Sequence, residues 1–304
     1  MKERIMGFGS KIKRVIKNPE KAIKGTYHKI DQSAGKAIFG NTVGMKHNLN
    51  GTINLLKNNQ FNVKSHDPVI QQFRTNGYMK LNFNYDKSLI DKIRTKYEKM
   101  IEDDRFSFGS GQHDGKYHKR QIIDAHLNIP ELSALITDDV IEIVKQYYGS
   151  NFQVVRIDLW RTYHISQEIM DKDLISNRWH CDNRKTDRLK LFINMAEVTE
   201  NDGPFHLQSI PRTKDLMKLN FGHREDYGVP MEVIEDPKYV VKFIGPPGSA
   251  IFANTTTCLH RAGNPQTTRD IIQFLFRSSR DPLSPNWFKE VMHVGPDMIN
   301  TTEE

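Results

Sequence analysis

Trp179-His180-Cys181-Asp182 sets an imidazole and a carboxylate two residues apart. In an extended segment alternate side chains share a face, so His180 and Asp182 would aim a nitrogen and an oxygen at one point. Alone the triplet is weak, because His-x-Asp arises by chance beside unrelated acids. A third ligand type stands at His260 in the strand-like run SAIFANTTTCLHRAG, and Arg269 follows, opening the apolar run Ile271–Phe276. Two imidazoles and one carboxylate leave about three positions open on a metal, the arrangement used by non-haem Fe(II) oxygenases. A planar guanidinium is the natural partner for the far carboxylate of a 2-oxo acid bound there. His180, Asp182 and His260 are therefore the candidate metal ligands and Arg269 the candidate cosubstrate anchor.

Helices and strands of recognisable period must position these residues. Between Ser88 and Ile101, the residues Leu89, Ile90, Ile93, Tyr97 and Met100 share a helical face. A second helix is predicted from Ile129 to Tyr148, with Gly149 as its stop. FRTNGYMKL, 73–81, reads as a helix end, an Asn-Gly turn and a strand. From Phe152 the period becomes 2, with Val154, Ile157 and Leu159, then Leu189, Leu191 and Ile193, and further short β runs at Val240-Val241, Ala250–Ala253 and 271–276. NDGPFHLQSIPRT, 201–213, reads as a turn followed by a strand. Helices first and strands after predict an α+β fold, helices packed on a sheet-rich core.

The 304 residues, 37% hydrophobic and 27% charged, suit one large or two modest domains and exclude collagen-like or disorder-dominated chains. The net charge of +7 is unevenly placed: residues 1–60 hold 12 Lys and Arg against three acids, and the remainder holds 32 against 34. The chain thus divides into a basic N-terminal arm and linker, 1–60, and a nearly neutral domain, 61–304. Within the arm Ile5, Phe8, Ile12, Val15 and Ile16 recur at helical spacing among lysines. Residues 1–18 therefore suit an anionic membrane surface or a protein partner, and equally a solvated arm. The Gly- and Asn-rich stretch 33–52 reads as a linker. No specific nucleic-acid partner is expected of a body so balanced. Two cysteines, Cys181 and Cys258, make no disulfide framework, and no apolar run suits a membrane span or signal peptide, so a cytoplasmic protein is expected, peripheral to a membrane if the arm binds one.

On these motifs the chain resembles the phytanoyl-CoA dioxygenase family of Fe(II)- and 2-oxoglutarate-dependent oxygenases, from about Phe73 to Asp281. FRTNGYMKL is similar to the family's opening, IPELSALITDDVIEIVKQYYG to its glycine-terminated helix, WHCD to its W-H-x-D, EVTENDGPFHLQSIPRT to its hairpin and HRAGNPQTTR to its distal H-x-x-x-N-x-x-x-x-R. The resemblance implies a double-stranded β-helix, the cupin-like jelly roll, flanked by helices. It implies Fe(II) on His180, Asp182 and His260, the C5 carboxylate of 2-oxoglutarate on Arg269, and O2 consumed with a small-molecule substrate. The reaction implied is hydroxylation of an unactivated C–H bond, coupled to decarboxylation of 2-oxoglutarate to succinate. Small, glycan-linked or lipid-linked substrates all fit. Asp182 is retained where a halogenase would carry Gly or Ala. Gln208-Ser209-Ile210-Pro211-Arg212 replaces the family's P-G-S-H, Phe192 a frequent tryptophan, and Ala262 a small hydroxyl residue. A silent jelly-roll binding module and a nucleic-acid or membrane-surface binder acting through the arm are the competing classes.

Other residues carry subsidiary expectations. Alternation turns Cys181 away from the metal and Cys258 toward it. Arg156, Arg161 and Tyr163 would contact cosubstrate or an acidic substrate, or else form a solvated strand edge. Arg184, Lys185, Asp187, Arg188, Arg212, Arg224 and Arg261 would surround the pocket mouth and favour an anion. His164 and His206 are rival ligands without a matching carboxylate. FSFGSGQHDGKYHKR, 106–120, reads as a lid or an exposed loop, and Asn194 and Gln273 as groups that orient the imidazoles.

Overall fold

The computed structural model describes residues 45–58, 65–113, 116–170, 177–182, 185, 187–219, 221 and 229–297. The amphipathic stretch 1–18, most of the linker 33–52, Arg184 and Arg224 lie outside them. The described end of that linker is helical: α1 (Met45–Asn58) lies against the sheet, with Asn54 and Asn58 donating to Ser278 Oγ at 3.1 and 3.3 Å. The docking asparagines Asn54 and Asn58 lie just past the stretch read as a linker.

Helix α2 (Pro68–Asn76) starts where the Asp67 carboxylate accepts from Val69 N at 2.8 Å, and ends at Gly77 in the left-handed region, φ +80°. That turn delivers β1 (Tyr78–Lys80). Asp86 caps α3 (Lys87–Glu98), which buries Ile90, Ile93 and Tyr97. The segment read as a lid or an exposed loop is a hairpin, β2 (Ser107–His113) and β3 (Lys116–Ile122), whose second strand pairs with the main sheet. The predicted helix 129–148 is two elements, a 3-10 turn over Pro130–Leu135 and α4 (Asp138–Tyr148). Extended backbone at Thr137, whose hydroxyl accepts from Val140 N, separates them, and Gly149 ends α4 as predicted.

The rest of the described chain is mainly strand: β4 (Asn151–Tyr163), β5 (Arg188–Asn194), β6 (Phe205–Leu207), then helix α5 (Ile210–Lys218), β7 (Val241–Phe243), β8 (Ala250–Ala253), β9 (His260–Ala262) and β10 (Thr268–Ser279). The turn-strand expectation for 201–213 holds only to Leu207, because Ser209 caps a new helix and Pro211 sits in its first turn. Two sheets form, in the orders β1-β8-β5-β10-β4-β3-β2 and β7-β6-β9, and every pairing is antiparallel.

The larger sheet is covered on both faces. Ile157, Leu159, Leu191, Ile193, Ile272 and Phe274 lie under the helices with Ile90, Ile93, Tyr97 and Val140. Phe192, Ile251, Ala253 and Ile271 face the smaller sheet and meet Phe205, Leu207 and Phe243. Each such buried side chain contributes about 1.5–3 kcal/mol. Arg161 and Tyr163 lie on the helix side: Arg161 pairs with Asp270 at 2.8 Å and Glu98 at 2.8 Å, and Tyr163 donates to Glu102 at 2.7 Å. Tyr97 donates to the same Asp270 at 2.7 Å, so one buried carboxylate ties α3 to β4 and β10. No described helix is long and apolar enough to cross a membrane.

The hairpin before β6 crosses the segment after β9 in backbone contact. Gly203 has φ +59°, and a Cβ there would lie 2.4 Å from Pro265 N and 2.5 Å from Asn264 C. Gly203→Ala should therefore destabilise the fold by about 1–3 kcal/mol through strain alone. Thermal denaturation should register a midpoint several degrees lower; an unchanged midpoint would contradict the packing described.

Candidate metal centre

His180 and His260 are joined by backbone. His180 N donates to His260 O at 3.0 Å and His260 N to His180 O at 2.9 Å, which sets the two rings side by side with centroids 4.3 Å apart. Two residues beyond His180, Asp182 N donates to Thr255 O at 2.9 Å, so the carboxylate rises beside both rings. Asp182 Oδ1 lies 3.8 Å from His180 Nε2 and 3.5 Å from His260 Nε2. The three sequence-predicted ligands are thus brought together, with one ligand atom from each within 4.8 Å of the others.

The remaining polar atoms of the trio are occupied by protein. His180 Nδ1 lies 2.8 Å from Arg178 O, and His260 Nδ1 lies 3.1 Å from Cys258 O. A carbonyl can only accept, so each Nδ1 carries the proton and each Nε2 keeps its lone pair for a metal. Asp182 Oδ2 accepts from Lys190 Nζ and from Thr255 Oγ1, both at 2.5 Å. Burial works to raise this carboxyl, but its charged neighbours, the Lys190 ammonium foremost, outweigh it and hold it well below the usual carboxylate range. The site therefore offers two neutral nitrogens and one anionic oxygen. Asn194 and Gln273 do not serve as the orienting groups: Gln273 donates to Asp158 at 2.7 Å, and the Asn194 amide is buried with no partner among the described residues.

Arg269 enters from β10. Its cross-strand partner is Thr162, whose own β3 partner is Lys119, so all three share a row on the face turned toward the smaller sheet. Arg269 is 5% exposed, and its Nε and Nη1 have no hydrogen-bond partner among the described residues. Burial pulls its guanidinium down to about 10, against Asp202 and Asp270, which favour the charge. Lys119 stands with its ammonium 4.2 Å from the centre of the Trp160 ring, and burial pulls it down to about 8. Buried cations short of acceptors are costly and point to an anion that completes them.

Several predicted neighbours lie elsewhere. Cys181 is buried with Trp179, Leu216 and Leu259 on the far side of the small sheet. Cys258 turns away from the trio, its thiol donating to Asn76 O at 3.5 Å; burial pushes it up to about 12. His206 stacks on Trp179 at 6.3 Å and His164 meets Pro265 O at 2.9 Å, so neither joins the ligands. Among the proposed mouth residues, Arg261 pairs with Glu235 at 3.0 Å, while Arg212 bonds Val233 O and lies over Tyr239. Arg156 is neither a solvated edge nor free: its Nε donates to Asp158 at 2.9 Å. The sequence reading missed Lys190, Thr255 and Lys119. The signal for Lys190 was a lysine inside Leu189-Lys190-Leu191, a strand buried on both faces.

No protein-family model matches the chain, and no curated protein matches it. Solved structures do. The non-haem α-ketoglutarate-dependent epimerase SnoN from nogalamycin biosynthesis aligns at 14% identity over 69% of this chain and 82% of its own, with a TM-score of 0.52. The α-ketoglutarate-dependent carbocyclase SnoK from the same biosynthesis aligns at 13% over 76% and 92%, TM-score 0.51. EctD from S. alaskensis, solved with 2-oxoglutarate and 5-hydroxyectoine, aligns at 13% over 72% and 81%, TM-score 0.51. At such identities the likeness is one of fold.

Thr255→Val removes one of the two donors on Asp182 Oδ2 while keeping side-chain volume. Affinity for Co(II), titrated by its visible absorption, should fall about tenfold or more. His180→Ala should remove high-affinity binding altogether. Equal affinity in all three proteins would mean that the metal binds elsewhere.

Proposed function

We propose that this chain is an Fe(II)- and 2-oxoglutarate-dependent oxygenase built on a double-stranded β-helix, similar to the phytanoyl-CoA dioxygenase family, and that it hydroxylates a small molecule. One observation carries the reading: two imidazole lone pairs and one carboxylate oxygen converge with every other polar atom of the three side chains already engaged, while a buried guanidinium in the same sandwich lacks its anion. The donor set suits Fe(II), and the unpartnered Nε and Nη1 of Arg269 suit the far carboxylate of 2-oxoglutarate. Residues 61–304, with α1 docked on their sheet, form the oxygenase domain in this reading, and the basic arm before α1 holds the enzyme at a cytoplasmic surface or partner.

His180, Asp182 and His260 would hold the metal, and Arg269 the C5 end of the cosubstrate. The metal with 2-oxoglutarate supplies the oxidising power, consuming O2 and releasing succinate and CO2. The chain's own residues bind and exclude. Thr255 and Lys190 keep Oδ2 of Asp182 engaged, which leaves Oδ1 as a single donor and other metal positions free for cosubstrate and O2. Phe192 and Phe205, with ring centroids 4.7 Å apart, and Trp160 beyond them close the floor against water. Ala262 pairs with Phe205 and brings no hydroxyl, so Lys119 and Thr162 are the polar groups beside Arg269.

Under anaerobic conditions, Fe(II) with 2-oxoglutarate should give a weak metal-to-ligand charge-transfer band in the visible. Its absence from folded, metal-loaded protein would overturn the reading. Asp182→Ala should abolish substrate-independent conversion of 2-oxoglutarate to succinate. Arg269→Ala should raise the 2-oxoglutarate requirement by at least about tenfold, the scale of a buried charge left unpaired; an unchanged requirement would move the anchor to another cation.

A further inference from the structure

The face of the large sheet that looks onto the small sheet carries more positive charge than the oxygenase reading uses. By register Lys119, Arg156, Lys190 and Arg269 rise from it, as do Lys80, Arg188 and Arg277 nearer its margins, and Asp158 and Asp182 are the carboxylates paired with Arg156 and Lys190. A divalent metal and doubly charged 2-oxoglutarate would cancel each other, so loading the site would leave the positive charge of this cluster as it is. Uncompensated charge inside a protein is expensive. A site that keeps it is shaped for an anion still to arrive.

Two of these cations define where. Leu275 on β10 pairs with Arg156 on one side and Lys190 on the other. The two therefore rise from one face in one row, with Cα atoms about 10 Å apart, a gap that two long side chains close over Leu275. Lys190 already donates a hydrogen bond to Asp182 Oδ2 at 2.5 Å, which puts the row beside the metal carboxylate. Arg156 is tethered from behind. Its Nε donates to Asp158 Oδ2, and Asp158, 1% exposed, is fixed by Gln121 at 2.6 Å and Gln273 at 2.7 Å. Its Nη1 and Nη2 have no partner among the described residues. A guanidinium held by Nε with its outer N–H groups free is preorganised for an oxyanion. The side chains of Arg156 and Lys190 are 16% and 12% exposed, enough for a ligand to reach them. Arg269 lies at the other end of β10, so cosubstrate anchor and this row are separate sites.

We infer that the substrate is an oxyanion-bearing small molecule, a phosphate, sulfate or carboxylate ester or acid, and that Arg156 and Lys190 receive its charged group beside the metal. The inference rests on the oxygenase reading and adds the substrate class to it. It also moves anion recognition from Arg212 and Arg261, which the fold engages elsewhere, to the interior.

Sodium sulfate is the probe, a dianion that leaves Fe(II) in solution. Anaerobic Fe(II)-protein saturated with 2-oxoglutarate is titrated with it at constant ionic strength, following heat and the visible band. One-site binding in the millimolar range is expected, weakened at least tenfold by Arg156→Gln and less by Arg156→Lys, which keeps the charge and loses the fork. The band before sulfate is added reports whether each variant still folds and holds cosubstrate. If no band forms in the unaltered protein, the oxygenase reading fails. If the band forms but sulfate does not bind, or binds Arg156→Gln and Arg156→Lys as tightly as the unaltered protein, the substrate inference fails alone.

Discussion

Two backbone hydrogen bonds, His180 N to His260 O and His260 N to His180 O, join segments that are distant in the chain, and the site is built outward from them. They fix the separation of the two rings before any metal is present. A third bond, Asp182 N to Thr255 O, continues the same bridge and turns the carboxylate toward the rings. Loop closure over so many residues has an entropic cost, and the sandwich core offsets it: Phe205 and Leu207, on the strand that pairs with β9, bury against Phe192 and Ile251.

The large sheet has two faces with different tasks. Its helix side is almost wholly apolar, interrupted by the Asp270 hub that binds Tyr97 and Arg161. Its inner side mixes Phe192, Ile251 and Ile271 with Lys119, Asp158, Lys190 and Arg269, which cohere only through hydrogen bonds, a ring face or a ligand. Stability is concentrated on one side and unsatisfied polarity on the other. Such a division lets the inner face hold groups whose burial would be prohibitive without a rigid support behind them.

Spacing alone made much of this legible. Strand alternation was enough to pair His180 with Asp182, the period-2 runs located β4, β5, β8 and β10, and Gly77 and Gly149 marked helix ends because only a left-handed residue fits there. What the sequence hid was whatever depends on the partner across a strand or a helix. Arg161 and Arg156 stand five residues apart on β4 and look alike as letters, yet one faces α3 and the other faces the pocket. The glycine-rich 106–120 gave no strand signal, because composition does not reveal that β3 finds a free edge at β4. The orienting groups of the imidazoles were sought among side chains, and they are carbonyls, which every residue has and no motif records.

That last feature bears on how the protein can change over evolutionary time. Each imidazole is steered by the main chain two positions upstream, Arg178 O for His180 and Cys258 O for His260. No point mutation deletes a carbonyl, so ring orientation is insulated from drift in the residues around it. The pocket walls are free to be rewritten for new small molecules while the metal-facing nitrogens keep their aim. A site wired in this way separates inheritance of its donor atoms from inheritance of the walls around them.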